Sequence, residues 1–316
     1  MSDLSISIII PAYNEGETII PCLQSCVDQE LQAKEIIVVD NLSKDNTLKQ
    51  VQAFKRGYEK KFPKRKGQIS ILKQDQVQGL IPTRNLGFAS ATGDILGRID
   101  ADAILSPGWT KAVATAFKDP KVMGATGPVT YYDMPLRRFS YKRDNAIRKF
   151  IQRRSNVVPM MFGTNMAIRQ KAWASIGREF CLDKEDVLHE DIDISIHFAE
   201  HSYKVVYVQQ MIAGMSARRI EDNFKDFKAY QQRMITTFEK HDMPATIGAK
   251  MSKVIFLVVW YPLHALRKPY MRRFERMKKQ FISDLWSDGG SMSPFRQRAK
   301  LHLRKAFRKR RRLNKS

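Results

Sequence analysis

Short apolar runs alternate with amphipathic segments over the first hundred residues. Four runs rich in isoleucine and valine have the composition of buried strands, and they cover residues 6–10, 35–39, 69–72 and 95–99. The segments between them carry apolar residues every three or four positions, which is the spacing of one helix face. This alternation predicts an α/β fold with a mainly parallel sheet and helices on both faces.

After residue 105 the pattern becomes less regular. We expect a helix, a strand, a very basic amphipathic helix and a last strand, over residues 106–117, 122–131, 137–154 and 205–208. From about residue 223 the composition changes to segments rich in arginine, lysine and aromatic residues. The sequence therefore predicts one domain over residues 1–222 with halves 1–105 and 106–222, a helical extension over 223–288 and a tail over 289–316.

The positive charge of the chain is concentrated near its end. Lysine and arginine number 55 against 32 acidic residues, which gives a net charge of +23, and residues 267–316 contribute +15 of it. A protein that binds nucleic acid through its fold would spread this charge over the fold. We therefore do not expect a nucleic-acid partner, and we assign the basicity to an appendage.

Three cysteines, Cys22, Cys26 and Cys181, are too few for a disulfide framework and favour a reducing compartment. Cys22 and Cys26 lie on a predicted helix without two further metal ligands nearby, so we expect them in the core. Asp3 stands where a secretory signal has positive charge, so we expect no signal peptide. The longest strongly apolar stretch, residues 254–266, has 13 residues, and a membrane-spanning helix needs ~20.

Polar residues collect where the predicted strands end, and this is where open parallel sheets bind ligands. Asp100, Ala101 and Asp102 follow the fourth strand. Two carboxylates on alternate residues can together hold a hard cation such as Mg2+ or Mn2+. Such a triplet is by itself often a solvated turn, but its place after a strand favours the cation.

Three further polar positions are open to two interpretations each. Asp40 ends the second strand and can either bind a nucleotide or cap a helix, a task that Asp45 can also perform. Arg84, followed by Asn85 at the start of a predicted helix, suits a diphosphate or is a surface arginine. Glu190 and Asp191 begin another helix, where the dipole stabilises acids and also keeps a general base ionised.

Together these motifs resemble family-2 glycosyltransferases of the GT-A fold. IIIPAYNE, IIVVDNLSKDNT, GLIPTRNLG, ATGDILGRIDAD, GTNMAIRQ and HED occur in the family's order and spacing within residues 4–220. The resemblance implies transfer of a sugar from a nucleoside diphosphate donor, with UDP favoured, to an acceptor hydroxyl with inversion. The sequence lacks the Q-x-x-R-W signature of the processive synthases, because residues 231–234 read QQRM, so we expect a non-processive enzyme.

The resemblance also implies a role for each matching residue. The nucleoside pocket is lined by Pro11, Ala12, Tyr13 and Glu15. Asp40 accepts the imino N–H of the base, and Arg84 and Asn85 lie near the donor, with PTRN in place of the more frequent ARN. Asp100 and Ala101 contact the sugar side, and Asp102, with Asp100, binds Mg2+ or Mn2+. The acceptor-side wall is Gly163, Thr164 and Asn165, Asp191 is the general base and Glu190 is secondary.

For the basic tail we weigh a solvated disordered segment, a nucleic-acid site and a membrane anchor. Residues 295–307 place apolar side chains at helical spacing among basic ones, the pattern of an interfacial helix. An apolar patch around Phe256, Val259, Trp260 and Tyr261 precedes it. We favour the third interpretation, in which the tail attaches the protein to the anionic inner face of the cell membrane on the cytoplasmic side. The reason is that many acceptors of the family are lipid-linked or cell-surface glycans.

Two other classes of function compete with a glycosyltransferase. A sugar nucleotidyltransferase would have a glycine-rich loop with a lysine after the first strand, and PAYNEGE has neither. A nucleotide-binding protein with a nucleic-acid-binding tail is the other class, but a nucleic-acid-binding protein would spread positive charge over the fold, whereas here it is confined to the tail. A catalytically inactive relative is disfavoured because Asp102 and Asp191 are both present.

Overall fold

The computed structural model describes residues 4–134, 137–154, 158–179, 183, 187–244 and 247–283. Within these residues ten strands form two sheets: β1 (Ile6–Ala12), β2 (Glu35–Asp40), β3 (Ile69–Lys73), β4 (Ile95–Ile99), β5 (Ile104–Leu105), β6 (Val122–Thr126), β7 (Val129–Tyr131), β8 (Asn165–Arg169), β9 (Lys204–Tyr207) and β10 (Ala213–Met215). The larger sheet has the order β3-β2-β1-β4-β8-β6-β9, and β5-β10-β7 is the smaller one. All neighbours in the larger sheet are parallel except that β8 runs antiparallel to β4 and β6. The predicted α/β fold is confirmed.

Nine α-helices are described: α1 (Ile19–Val27), α2 (Thr47–Lys61), α3 (Leu80–Ser90), α4 (Trp109–Ala116), α5 (Arg137–Arg154), α6 (Gln170–Ile176), α7 (Glu190–Glu200), α8 (Phe224–Lys240) and α9 (Ile247–Ser283). They cover both faces because alternate strand residues point to opposite sides. Ile8 lies in the core with α1, α2 and α4, whereas Ile9 lies in the core with α3, α6 and α7. Cys22 and Cys26 are buried in the first core, as predicted.

Two predicted elements differ from the structure. The single strand expected over residues 122–131 is wrong, because the chain divides at Gly127 and Pro128 into β6 and β7 of different sheets. Proline has no N–H to give to a sheet ladder, and the backbone of Met211 leaves no room for a side chain at Gly127. The helix expected from residue 106 begins at Trp109 instead.

The chain after residue 222 packs onto the sheet domain through two helices. Phe238 of α8 lies in a cluster with Ile192 and Ile196 of α7. On α9, Arg267 is buried and donates to Asp133 at 2.8 Å and to Glu221 at 2.6 Å. These contacts hold α9 against the domain.

The apolar patch predicted on residues 254–266 is only partly correct. Phe256 and Tyr261 are exposed, but Trp260 is buried and packs against Phe224 of α8 and against His264. A continuous helix shows only one side of such a stretch to solvent. No helix in the described part of the chain is long and apolar enough to cross a membrane. The predicted tail, residues 289–316, and Cys181 lie outside the described residues.

Candidate active site

The carboxyl ends of β1 and β2 lie side by side and place Asp40 at one edge of the site. Parallel register sets Ala12 opposite Asp40. Asp40 is buried, its Oδ2 atom accepts a long hydrogen bond of 3.4 Å from the Ser43 N–H, and its Oδ1 atom has no partner among the described residues. A buried acceptor without a donor is costly, so this oxygen is suited to a donor on a ligand. Pro11 and Ala12 are buried beside it, and Tyr13 is exposed.

The loops around Asp40 are fixed by other side chains. Asp45 accepts hydrogen bonds from the N–H groups of Thr47, at the start of α2, and Gly16, both at 2.9 Å. Asn41 accepts from the Gly79 N–H at 2.8 Å and so holds the loop before α3. Asp45 therefore accepts the backbone hydrogen bond at the start of α2, and Asp40 does not.

Beyond the carboxyl end of β4, Asp102 is buried beside Arg218. Arg218 Nε lies 3.6 Å from Asp102 Oδ2, and the same guanidinium forms two contacts to the Glu15 carboxylate, one of them 2.7 Å long. Burial and the nearby charge of Asp100 raise the pKa of Asp102 to about 7, against the opposing effect of Arg218. A buried carboxylate of this kind is stabilised by a neighbouring cation. The site therefore fits a divalent ion bound through carboxylate oxygen.

Asp100 faces a different partner from Asp102. Its carboxylate pairs with Arg98 Nη2 at 2.9 Å, and its side chain is about one-third exposed. Ala101 between the two acids is buried. Within the described residues, neither Asp100 nor Asp102 belongs to a group of three clustered metal-ligand side chains.

Glu190 lies between two buried arginines. Its Oε1 atom lies 2.8 Å from Arg98 Nη2, and its Oε2 atom lies 3.1 Å from Arg84 Nη1. Burial raises the pKa of Glu190, while the two guanidinium groups act in the opposite direction. Arg84 also donates to Asn85 Oδ1 at 2.7 Å. This network joins α3, β4 and α7.

The surface-arginine interpretation of Arg84 is wrong, because the side chain is completely buried. The helix α3 begins at Leu80, so Arg84 lies one turn inside it rather than at its start. Pro82 is compatible with a helix that begins at Leu80, because proline is tolerated in the first turn. The observed hydrogen bonds of Arg84 include those to Glu190 and Asn85, and its contact to a donor stays a prediction.

Asp191 stands in the first turn of α7 and contacts the predicted acceptor-side wall. Its Oδ2 atom accepts a hydrogen bond of 2.9 Å from the Gly163 N–H, and its Oδ1 atom accepts one of 2.9 Å from the Ile192 N–H. A Cβ atom at Gly163 would lie 2.7 Å from Glu190 Oε1 and still closer to Arg98 Nη1. A side chain at Gly163 would therefore force the paired side chains of Arg98 and Glu190 to move.

The other two wall residues differ in exposure. Thr164 is half-buried, and Asn165 is fully buried. Asn165 Oδ1 accepts from Trp109 Nε1 at 2.8 Å, and Asn165 Nδ2 donates to the carbonyls of Pro128 at 3.0 Å and Met211 at 2.7 Å. Its side chain is thus engaged inside the fold and supports the wall from behind.

Sequence reasoning missed Arg98 and Arg218. Arg98 interrupts an otherwise apolar strand two residues before Asp100, and a charge inside a buried strand is a signal that it needs a partner. Arg218 lies in a short 3-10 segment whose basic residues resemble any solvated surface, and only the three-dimensional structure shows its proximity to Glu15 and Asp102.

The comparisons with known proteins agree with this fold. The protein-family model "Glycosyl transferase family 2" matches residues 7–177, and the family model "Glycosyl transferase family group 2" matches residues 98–274. The first covers more than half of the chain. The fold is that of GT-A, and the chain belongs to glycosyltransferase family 2.

Curated relatives match over a shorter region. Glycosyltransferase AglE of Haloferax volcanii is 34% identical over 106 residues, which are 33% of this chain and 32% of the relative. Glycosyltransferase GlyG of Streptococcus pneumoniae serotype 4 is 30% identical over 105 residues, 33% of this chain and 32% of the relative. The matched region is therefore about a third of each relative's length.

Solved structures match over more of the chain. Mannosyltransferase PcManGT from Pyrobaculum calidifontis, in complex with GDP-Man and Mn2+, has a TM-score of 0.60 at 16% identity and covers 92% of this chain and 84% of its own. Glucosyl-3-phosphoglycerate synthase of M. tuberculosis has a TM-score of 0.53 at 17% identity, with 76% of this chain and 82% of its own covered. At these identities the likeness shows the fold alone.

Proposed function

We propose that this protein is a non-processive, inverting glycosyltransferase that moves a sugar from a nucleoside diphosphate donor to an acceptor hydroxyl. The observation that carries the proposal is the buried Asp102 carboxylate, which lies beyond β4 beside Arg218 and has a pKa raised by burial to about 7. Family membership supports transfer chemistry at this place. In the proposed organisation, residues 1–222 form the catalytic domain, with the donor bound by residues 1–105 and the acceptor by 106–222.

The donor base in this proposal carries an imino N–H group. An ionised Asp40 can only accept hydrogen bonds, and its Oδ1 atom has no other partner among the described residues. Uracil, thymine and guanine offer a donor at this position, whereas N3 of cytosine is an acceptor. The complex of the structural neighbour PcManGT with GDP-Man is compatible with this choice. We favour uracil, as the family resemblance implies.

Asp102, with Asp100, would hold Mg2+ or Mn2+ on the donor diphosphate. A divalent cation at this position offsets the negative charge that gathers on the leaving nucleoside diphosphate. The structural neighbour PcManGT was solved with Mn2+. Arg218, paired with Glu15 and next to Asp102, adds a fixed positive charge on the same side.

Asp191 acts as the general base in the proposed mechanism. It accepts the proton of the acceptor hydroxyl, which is a weak nucleophile until that proton is taken within hydrogen-bond reach. The Gly163 N–H orients the carboxylate. Glu190 is held by Arg84 and Arg98 and therefore fixes the start of α7 rather than accepting the proton itself. Attack from the Asp191 side, opposite the leaving group, inverts the anomeric carbon.

We further propose that the enzyme works at an anionic membrane surface on a lipid-linked or cell-surface glycan. Large apolar side chains are exposed on α9: Met251, Val254, Ile255, Phe256, Val258, Tyr261 and Leu266. Most of them follow one another at spacings of three or four residues, which makes one stripe along the helix. The chain that follows is strongly basic, which adds attraction to anionic lipid.

A donor-hydrolysis and transfer screen tests the proposed activity. The full chain is incubated with a panel of nucleotide sugars and Mg2+ or Mn2+, and released nucleoside diphosphate is measured beside Asp102→Asn. We expect metal-dependent release from one or two donors by the native chain and none by the variant. Full activity in excess chelator, or equal activity of the variant, would refute the role of Asp102.

A further inference from the structure

A second group of metal-ligand side chains lies between α7 and α8. Asp193 and His197 are one turn apart on α7, and His241 caps the end of α8. One ligand atom from each lies within 4.8 Å of the other two. Asp193 Oδ1 is 2.9 Å from His241 Nε2 and 3.7 Å from His197 Nε2, and all three side chains are almost entirely buried.

The surroundings of His197 orient its ring. His197 Nδ1 lies 2.8 Å from the Glu200 carboxylate and 3.8 Å from that of Glu179. A carboxylate beside Nδ1 favours the tautomer with the proton on that atom, which leaves the lone pair on Nε2. Nε2 therefore faces Asp193 as an acceptor. A histidine that binds a metal ion through one ring nitrogen usually donates its other ring N–H to a carboxylate, a backbone carbonyl or water.

We propose that Asp193, His197 and His241 form a binding site for a divalent transition metal, with Zn2+ as the best-suited ion. Two imidazoles and one carboxylate are a set of ligands that favours Zn2+ over Mg2+. Ligands of a tetrahedral zinc ion lie about 3.3 Å apart when each is about 2.0 Å from the metal. The two measured separations lie on either side of that value, so small side-chain rotations suffice.

This site differs from the donor-side site in chemistry and purpose. Asp102 and Asp100 offer only oxygen, whereas this group offers two nitrogens and one oxygen. The bound ion would join α7, which carries Asp191, to the end of α8, and the two helices already pack through Ile192 and Phe238. The ion thus has a positioning task and does not touch the substrates.

Zinc binding to the metal-free full chain, without nucleotide, tests the proposal. We expect one equivalent of zinc after dialysis, and a rise in the unfolding midpoint of roughly 5–10 °C at a hundredfold excess over the dissociation constant. His241→Asn should lose both effects. His241→Cys, which restores a zinc ligand, should recover them and thereby separates ligation from a folding defect. Asp102→Asn should bind zinc normally, which separates this test from that of the proposed function.

Two matched controls define the ligands. Glu179→Gln should keep zinc binding, because Glu179 belongs to the alternative group with His197 and Glu200. His264→Asn removes a histidine on α9 and should also have no effect. The proposal is overturned if the native chain binds no zinc, if His241→Asn binds it as well as the native chain, or if Glu179→Gln alone abolishes binding.

Discussion

The backbone N–H of Gly163 donates a hydrogen bond of 2.9 Å to the carboxylate of Asp191. This bond joins two motifs that the sequence separates by 28 residues. Because a Cβ atom at Gly163 would collide with Arg98 and Glu190, the turn, the ion-pair network and the predicted base are fixed together. The orientation of Asp191 is therefore a property of the whole network.

Replacement of Asp191 by asparagine should isolate proton transfer. The amide side chain keeps the size of the carboxylate and one oxygen for the Gly163 N–H, but it accepts no proton. We expect the transfer rate to fall by ~10²–10⁴, with donor affinity unchanged, as measured by steady-state kinetics and calorimetry. Asp119→Asn, at an exposed pair with Lys204, is the control and should leave both values unchanged. A loss of donor affinity at an unchanged rate would reassign Asp191 to the donor site.

Replacement of Glu190 by glutamine should destabilise the fold strongly. The variant leaves Arg84 and Arg98, both buried, without the carboxylate that lies between them. Removing one partner of a buried ion pair costs about 3–5 kcal/mol, and urea unfolding measures this loss. Glu30→Gln, at an exposed pair with Lys111, should cost no more than about 1 kcal/mol. Equal losses in the two variants would contradict the structural role of Glu190.

The elements with strong periodicity could be predicted, and their long-range contacts could not. The four strands of the first half appear where the apolar runs lie, because burial on both faces requires such runs. Arg84 was compatible with a surface position because no local pattern identifies Glu190, 106 residues away, as its partner. Trp260 belonged to an apolar stretch, and only packing against α8 decides which side of that stretch is exposed.

The proposed specificity for the donor base depends on Asp40. Its Oδ1 oxygen, which has no partner among the described residues, should favour UDP over CDP by roughly 5- to 150-fold, since an unmatched buried acceptor costs about 1–3 kcal/mol. Calorimetry with UDP, GDP and CDP measures the difference, and Asp40→Asn should reduce it because an amide both donates and accepts. Tighter binding of CDP to the native chain would exclude this role for Asp40.

The stability of the protein should fall on mild acidification through His189. Burial lowers the pKa of His189 below its ordinary value, so the unfolded state takes up a proton near pH 6.5 while the folded state does not. The stability that the folded state gains from keeping His189 neutral is therefore present above pH 6.5 and is lost as the pH falls below it. His189→Phe, which can still pack on Tyr230, should show a smaller loss in urea unfolding between pH 7.5 and 5 in chelator. Parallel pH profiles would contradict this assignment.

Attachment to membranes should depend on both the α9 stripe and the basic tail. Removal of residues 291–316 deletes 11 basic residues and no acids, which lowers the net charge from +23 to +12. The site residues all precede this segment, so the truncated chain should fold and bind donor. Its adsorption to anionic vesicles should weaken, and that of the full chain should weaken with salt, because exposed charges are screened beyond ~10 Å at 0.1 M.

The apolar contribution can be tested separately on α9. Val254→Ser with Val258→Ser reduces the apolar area of the stripe without changing any charge, so binding that persists at high salt should be lost. Ile147→Ser on α5 removes a similarly exposed apolar side chain outside the stripe and should have no effect. Co-sedimentation of each chain with neutral and anionic vesicles, and retention on RNA, are the measurements.

If truncation leaves pelleting unchanged, or if RNA retains the full chain more strongly than anionic lipid does, the basic segment does not serve as a membrane anchor. If the two serine substitutions match Ile147→Ser, the stripe on α9 does not contact lipid.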